Sequence, residues 1–192
     1  MNLLIEKETY LAAGVHIGTT VKNEAMKRFI YKILPNGLAV FDLERVDFRI
    51  RVAAKLLSKY ESILVVSRKY RRPIESFAKA TGAIPVIGRF LPGMLTNPSY
   101  EAFIEPDIVL ASDPFIDKQA LIEASKAHIP VVALCNTFNS PSYVDLIIPC
   151  NNRGRKSVAV VFYLLAREIL KERKEEEKVK NLTLADFIEK SD

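Results

Sequence analysis

Two kinds of pattern of apolar positions alternate along the chain, and they predict alternating strands and helices. Short, nearly uninterrupted apolar runs are typical of buried strands, and they occur at 62–67, 84–87, 107–112, 129–135 and 144–150. Apolar residues three and four positions apart are typical of helices, and they occur at 6–13, 44–60, 73–81, 117–128 and 154–174. Strands separated by helices predict a parallel sheet covered on both faces, which is an α/β fold.

The segment 28–43 interrupts this alternation. Asn36 and Gly37 stand there between two alternating or apolar runs, and this pair is the strongest short-range indication of a β-hairpin. Right-handed crossovers would arrange the other elements as a flavodoxin-like three-layer sandwich. We therefore predict one domain at 1–174, with a mostly parallel sheet, a small N-terminal hairpin and a long C-terminal helix, followed by a charged extension at 175–192.

Composition limits the cellular setting. Among the 192 residues, 49% are hydrophobic, which is enough for one core, but no apolar stretch is long enough to span a bilayer. Glu6 and Glu8 stand where a signal peptide would be apolar, so we expect a cytoplasmic protein without a membrane partner. Cys135 and Cys150 are then expected to be free thiols, and no Cys-x-x-Cys or histidine pattern predicts a metal.

Charge is distributed unevenly along the chain. The total is +5, but residues 1–98 carry +8, residues 99–152 carry −5 and residues 153–170 carry +3. One side of the fold is therefore expected to face an anion, as in a protein docked on nucleic acid. The acidic segment is expected to face solvent or a basic neighbour, although a soluble protein with uneven charge is an open alternative.

The most concentrated charge follows the strand predicted at 62–67. Its members are Arg68, Lys69, Arg71 and Arg72. Ligands of open α/β sheets usually lie beyond the carboxyl ends of the strands, where this cluster is expected. Arginine binds phosphate oxygens two at a time, so we predict contacts with RNA phosphates. Tyr70, within the cluster, could stack on an unpaired base or pack in the core.

Motifs of enzymes were sought and are absent. The chain has only seven glycines and no glycine-rich phosphate loop or nucleophile elbow. His16 and His128 lie far apart in sequence. Asp113 and Asp117 could hold Mg²⁺ or act in acid–base catalysis, but Asp113 before proline is more typical of a turn that caps a helix. We predict no catalysis, no cofactor and no small-molecule substrate.

Several longer motifs carry a resemblance to a known family. They are "AGVHIGTT", "FDLERV", "GRFLPGMLTNPS", "EPDIVLASDP", "EASKAHIPVVALCNT" and "VDLIIPCNNRGRKS". In this order the chain resembles the family of the second protein of the small ribosomal subunit, in its archaeal form, with kinship to the eukaryotic laminin-receptor precursor. The resemblance implies a flavodoxin-like, non-enzymatic constituent of the small subunit. It would be a monomer within the ribosome, bound to ribosomal RNA and beside other ribosomal proteins near the head–body junction.

Two features of relatives are missing from this chain. Bacterial members carry a coiled-coil insertion after the Leu-Thr-Asn motif, whereas here only a few residues separate Asn97 from Pro106. Eukaryotic members carry a long acidic tail linked to laminin binding, and this sequence has none, so that activity is not carried over. A metabolic enzyme of flavodoxin-like fold and a general RNA-binding adaptor outside the ribosome are the rival functions.

Further RNA-binding candidates follow from the same reasoning about charge and hydrogen-bond donors. They are His16, Thr19, Thr20, Lys22, Asn23, Lys27, Arg28, Lys32, Arg89, Arg153, Arg155 and Lys156. The first five lie on a predicted loop and can donate to phosphate or sugar. The last three begin the final helix, where exposed amides add to an anion site. The alternative for each is a solvated surface side chain.

The C-terminal extension contains a small amphipathic patch. Its apolar members are Leu182, Leu184, Phe187 and Ile188. Thr183 and Asp186 form a plausible helix cap beside them. We hypothesise that this patch docks on another ribosomal protein and folds as it does so. A frayed terminus is the alternative.

Overall fold

The computed structural model describes residues 3–188, and a five-stranded parallel sheet forms its centre. The strands are β1 (Ile30–Ile33), β2 (Ala39–Phe41), β3 (Ile63–Ser67), β4 (Ile84–Ile87), β5 (Ile108–Ala111), β6 (Val131–Cys135) and β7 (Leu146–Pro149). The helices are α1 (Lys7–Ala13), α2 (Leu43–Leu57), α3 (Arg72–Thr81), α4 (Lys118–Lys126), α5 (Arg155–Glu172) and α6 (Glu176–Asn181), with 3₁₀ turns at Glu24–Phe29 and Leu184–Asp186.

The order of the strands in the large sheet is β4-β3-β5-β6-β7, and all neighbours are parallel. This is the flavodoxin-like order, in which the chain reverses its direction of travel between β3 and β5. Every residue of β3, β5 and β6 is buried, as expected for strands covered on both faces. The predicted α/β architecture is confirmed.

Helices cover both faces of this sheet. Because β3 leads to one edge and β5 to the other, right-handed crossovers place α3 and α4 on opposite faces. Helices α2 and α3 pack along α5, and α4 packs on β5 and β6. Glu123 of α4 accepts hydrogen bonds from the backbone of Gly93 at 2.9 Å and Leu95 at 3.3 Å, which holds the 88–99 loop beside α4.

The predicted hairpin is present as the antiparallel pair β1 and β2. Asn36 accepts a hydrogen bond from the backbone of Leu38, and Gly37 takes a φ of 80°, which favours glycine. Each long predicted helix is also present, but most of their ends differ by one to three residues. For example, the helix predicted at 44–60 spans Leu43–Leu57 and begins after the Asp42 cap.

Arg173, one residue after α5, links the ends of three helices. Its Nη1 donates to the carbonyl of Thr81, the last residue of α3, at 2.8 Å. Its Nη2 donates to the carbonyl of Tyr60, just past α2, at 2.7 Å. A guanidinium at helix C-termini satisfies free carbonyls and complements the helix dipole. The edge of the sandwich opposite the carboxyl ends of the strands is thereby closed.

The C-terminal extension lies against the chain's own domain. Phe187 is fully buried, and its ring meets that of Tyr163 edge to face at 5.8 Å. Asp186 accepts hydrogen bonds at its carbonyl from Ser76 at 2.7 Å and Arg72 at 3.3 Å. The predicted cap is present, since Thr183 precedes the 3₁₀ turn and its backbone donates to the Asp186 carboxylate at 3.3 Å.

This packing uses the apolar patch that the sequence assigned to another protein. Leu182, Leu184 and Ile188 are half-buried against the same core that contains Phe187. The docking hypothesis needs these side chains to be exposed, and in this conformation they are not. Residues 189–192 of the predicted extension lie outside the described part of the chain. Within residues 3–188, no helix combines the length and apolar character needed to cross a membrane.

Candidate nucleic-acid interface

A buried polar network fills the crevice at the carboxyl ends of β3 and β5. The Ser112 hydroxyl oxygen lies 2.8 Å from that of Ser67 and 3.0 Å from a carboxylate oxygen of Asp117. The other Asp117 oxygen accepts a hydrogen bond from the backbone of Arg68 at 3.1 Å. Burial raises the pKa of the Asp117 carboxyl to about 6, although the hydrogen bonds it accepts act in the opposite direction. This crevice is where such folds usually bind a ligand. Here the chain's own side chains occupy part of it, and Asp117 also borders a pocket of about 160 Å³.

The network continues to the loops after β6 and β7. Asn139 donates to the Asp113 carboxylate at 3.0 Å, and Asn152 donates to the side-chain oxygen of Asn139 at 3.0 Å. Tyr70 closes the path by donating from its hydroxyl to the Asn152 carbonyl at 2.7 Å. The loops that follow β3, β5, β6 and β7 are therefore fixed to one another.

Basic side chains from three of the loops at this edge come together. The Lys69 ammonium lies 3.4 Å from the carbonyl oxygen of Arg153, which joins the loop after β3 to the turn before α5. Arg68 and Arg89 line one pocket of about 160 Å³, together with Phe90 and other residues. Arg155 and Lys156 are exposed in the first turn of α5. We call Arg68, Lys69, Arg89, Arg153, Arg155 and Lys156 the basic edge.

Two cations of the predicted cluster have other contacts. Arg71 is 78% exposed and forms an ion pair with Glu75 at 2.8 Å, which raises the pKa of its guanidinium. Arg72 is half-buried and donates to the carbonyl of Asp186, so it holds the C-terminal extension. The structure therefore places Arg72 in a contact within the chain rather than with the basic edge.

Tyr70 is part of the core. It is 1% exposed, so its ring offers no face to a base in this conformation. Of the two interpretations that the sequence left open, the observed geometry is packing. We leave Tyr70 out of the proposed interface for that reason.

The loop at 16–23 lies beside the end of β6. The backbone of Thr19 donates to the Thr137 hydroxyl oxygen at 2.9 Å, and the two threonine hydroxyl oxygens lie 2.8 Å apart. The backbone of Asn23 donates to the Thr137 carbonyl at 2.7 Å. Asn23 also uses its side chain to cap the 3₁₀ turn that follows. Thr20 is exposed and Lys22 is half-buried, so these two are the loop's accessible donors.

The environment of His16 does not suit a side chain that binds phosphate. Burial lowers the pKa of its imidazole, which favours the neutral ring. Its Nδ1 is buried without a hydrogen-bond partner. His16 therefore adds little positive charge to the loop near neutral pH.

The three remaining candidates, Lys27, Arg28 and Lys32, lie on the 3₁₀ turn and on β1. Lys27 and Arg28 are on the 3₁₀ turn, where Lys27 pairs with Glu24 at 2.5 Å and Arg28 lies 4.8 Å from the centre of the Phe29 ring. Lys32 is exposed on β1. Among the residues that the structure describes, no hydrogen bond or ion pair joins these three residues to the basic edge.

Comparison with known proteins identifies the family. The family model for ribosomal protein S2 matches residues 10–102 and 100–172. The chain belongs to the ribosomal protein S2 family. Small ribosomal subunit protein uS2 of Ignicoccus hospitalis is 53% identical over 178 residues, covering 90% of this chain and 84% of the relative. The protein of the same name from Methanococcus maripaludis strain C5 is 51% identical over 176 residues, covering 90% and 80%.

Membership of the S2 family confirms several predictions. Proteins of this family are structural constituents of the small ribosomal subunit and act in cytoplasmic translation; they are not enzymes. Asp113 forms the predicted turn, since it accepts a hydrogen bond from the backbone of Phe115 at 2.9 Å, but it does not cap α4, whose N-cap residue is Asp117. The expectation that the chain holds no metal stays a prediction; within residues 3–188, no three acidic, histidine or cysteine side chains are grouped as a metal site. The thiols of Cys135 and Cys150 are free and buried, and burial raises both pKa values.

The sequence analysis of this S2-family chain missed two aromatic residues at the same edge. Phe115 follows β5 and is 75% exposed, and its ring centre lies 6.5 Å from that of Phe138, which follows β6. The Arg153 guanidinium lies 4.3 Å from the centre of the Phe138 ring. The signal that could have found them is their position, since each follows the carboxyl end of a predicted strand.

Proposed function

We propose that this protein binds small-subunit ribosomal RNA through the basic edge. The observation that supports this most strongly is the contact between Lys69 and the Arg153 carbonyl, because it brings together cations that lie far apart in sequence. Ribosomal RNA is a polyanion, and phosphate contacts supply much of the affinity of proteins for nucleic acids. Membership of a ribosomal protein family makes that RNA the natural partner.

The mode of binding follows from the chemistry of these side chains. An A-form RNA helix hides its major-groove edges, so proteins recognise it through shape, phosphates and 2′-hydroxyls. Arginines of the basic edge can bind phosphate oxygens in pairs. Arg71, Thr20 and Lys22 extend the same surface toward the loops on either side. The cations of the hairpin, Lys27 to Lys32, are proposed as a second and separate contact.

Neighbouring ribosomal proteins are proposed to lie against other surfaces. The acidic residues Asp107 and Asp145 precede β5 and β7, so they lie at the edge of the sheet opposite the basic edge. Exposed Glu101 and Glu105 add charge to the same segment. These carboxylates offer ionic contacts to a basic neighbour in the small subunit, on the side of the monomer that faces away from the RNA.

Paired lysine variants test the proposed function. The variant Lys69→Ala/Lys156→Ala removes two positive charges from the basic edge. The matched control Lys79→Ala/Lys126→Ala removes two from the last turns of α3 and α4, which lie at the opposite edge. Binding to a small-subunit ribosomal RNA fragment is measured over a series of salt concentrations.

The first variant should bind more weakly, and the slope of log affinity against log salt should fall by about 2. The control should keep the original slope. Equal losses in both variants would show that total charge, and not the basic edge, determines binding. Co-sedimentation of the tagged chain with small subunits separates this function from that of a free enzyme or a general RNA adaptor.

A further inference from the structure

We propose that Phe115, Phe138 and Arg153 form a stacking site for one unpaired base of the bound RNA. This inference rests on the proposed function, because it concerns RNA held at the basic edge, and it adds a recognition step that phosphate contacts do not supply. The paired regions of the RNA would meet the cations. The unpaired base would meet the aromatic rings.

The exposure of Phe115 is the first observation. Three-quarters of this apolar side chain is open to solvent, although the loop around it is well fixed. Its ring meets Phe138 edge to face, with an interplanar angle of 70°. The Arg153 guanidinium covers Phe138 in a cation–π contact. Phe138 is thus already packed, and the open ring of the group is that of Phe115.

The second observation is that hydrogen bonds fix the chain at Phe115 and Arg153 and at the residue next to Phe138. Asp113 accepts at one carboxylate oxygen from the backbone of Phe115 at 2.9 Å and from the side chain of Asn139, the residue after Phe138, at 3.0 Å. The backbone of Arg153 donates to the side chain of Asn151 at 3.1 Å. A surface ordered before binding loses little conformational entropy when a ligand arrives.

The third observation is the charge around the rings. Lys69 contacts the backbone of Arg153, and exposed Lys118 begins the helix three residues after Phe115. Ile116, next to Phe115, lines the pocket that also contains Arg68. An open aromatic ring among cations suits a nucleotide, whose base stacks while its phosphate is neutralised. An apolar peptide would gain nothing from the surrounding charge.

Two RNAs that differ only in a bulge test this site. One is a fully paired duplex, and the other is the same duplex with one bulged fluorescent adenine analogue. The variants are Phe115→Ala, which removes the ring, and Phe115→Tyr, which keeps a stacking surface. The matched control is Phe48→Ala, because Phe48 is also exposed, at 48%, but lies on α2.

Phe115→Ala should weaken binding of the bulged RNA about tenfold and leave the paired duplex unaffected. Phe115→Tyr and Phe48→Ala should bind both RNAs like the original protein. The original protein should quench the analogue's fluorescence, and Phe115→Ala should not. Loss of affinity for both RNAs equally, or for neither, would overturn the stacking site.

The outcomes also separate this inference from the proposed function. If Lys69→Ala/Lys156→Ala weakens both RNAs while Phe115→Ala changes neither, RNA binding stands and the stacking site is refuted. If neither variant affects RNA binding, both are refuted. If Phe115→Ala reduces incorporation into the small subunit without changing RNA affinity, the ring binds a protein and the stacking site is again refuted.

Discussion

The Tyr70 hydroxyl donates to the backbone carbonyl of Asn152 at 2.7 Å, although 82 positions separate the two residues. Tyr70 follows β3 and Asn152 follows β7, and two strands, β5 and β6, lie between them in the sheet. The bond therefore ties the basic loop after β3 to the turn that leads into α5. Lys69 immediately precedes Tyr70 in the sequence, and Arg153 immediately follows Asn152.

Replacing Tyr70 by Phe should destabilise the fold and weaken RNA binding. The change removes a buried hydrogen bond and leaves the Asn152 carbonyl without that donor, so the free energy of unfolding should fall by about 1–2 kcal/mol. Urea denaturation measures the loss. The control is Tyr31→Phe, since Tyr31 is 71% exposed on β1. Equal stability of the two variants would contradict the structural importance of the bond.

Replacing Asp117 by Asn should change how stability depends on pH. Burial raises the pKa of this carboxyl from 3.8 to about 6, so the folded state binds its proton more tightly than the unfolded state. The stabilisation from that proton is complete below about pH 4 and is lost as the pH rises through about 6. The shift corresponds to about 3 kcal/mol.

The Asp117→Asn variant has no proton to lose, so its stability relative to the original protein should rise between about pH 4 and pH 7. Urea denaturation at several pH values measures the difference. The control is Asp107→Asn, because exposed Asp107 also accepts a backbone hydrogen bond, from Ser62 at 2.9 Å. A difference that stays constant across this range would show that Asp117 titrates normally.

Replacing Phe187 by Ala should release the C-terminal extension. The Phe187 side chain is fully buried against Tyr163. The cavity that its removal leaves would lower the free energy of unfolding by about 3 kcal/mol. The C-terminal extension should detach instead if its detachment costs less. We expect faster tryptic cleavage at Lys178 and Lys180, detected by mass spectrometry, with the sheet still folded. Phe48→Ala serves as the exposed control. Unchanged cleavage would mean that Phe187 does not anchor the extension.

Replacing Gly18 by Ala should displace the 16–23 loop. A β-carbon there would lie 2.6 Å from the Thr137 methyl and 2.9 Å from the Ala39 carbonyl oxygen, closer than real contacts allow. Overpacking of this kind costs about 1–3 kcal/mol, measured by thermal or urea unfolding. Adding Thr137→Ser, which lacks the methyl, should restore part of the loss. If Gly18→Ala is as stable as the original protein, the loop packs less closely than described.

The strands, the helices and the charged loops were predictable because their signals are local. The run from Ile63 to Val66 is apolar throughout, and the cations that follow this strand had to emerge at the carboxyl edge. Parallel strands bring all such loops to one edge, so the convergence of Lys69 and Arg153 follows from topology. Cation type and strand position were enough to define most of the basic edge.

The remaining features depend on contacts between distant segments. The buried Tyr70 hydroxyl donates to the carbonyl of Asn152. Arg72 contacts the C-terminal extension and not the basic edge, because it donates to the carbonyl of Asp186. The residues next to Tyr70 and Arg72 in the sequence do not indicate which distant residue either one contacts. The pairing of Phe115 with Phe138 likewise needs two loops whose separation is set by the order of β5 and β6.

At the end of the sandwich far from the basic edge, Arg173 donates to the carbonyls of Thr81 and Tyr60. The hydrogen-bonded crevice clamps the other end. Hydrogen bonds at both ends of the sandwich make the fold rigid. The distances between the loops that carry the positive charges are therefore set before RNA binds. We therefore expect the RNA, as the more pliable partner, to adjust its backbone to those intervals. On the proposed function, RNA conformations whose phosphates match the spacing of these charges would be the ones that the protein stabilises.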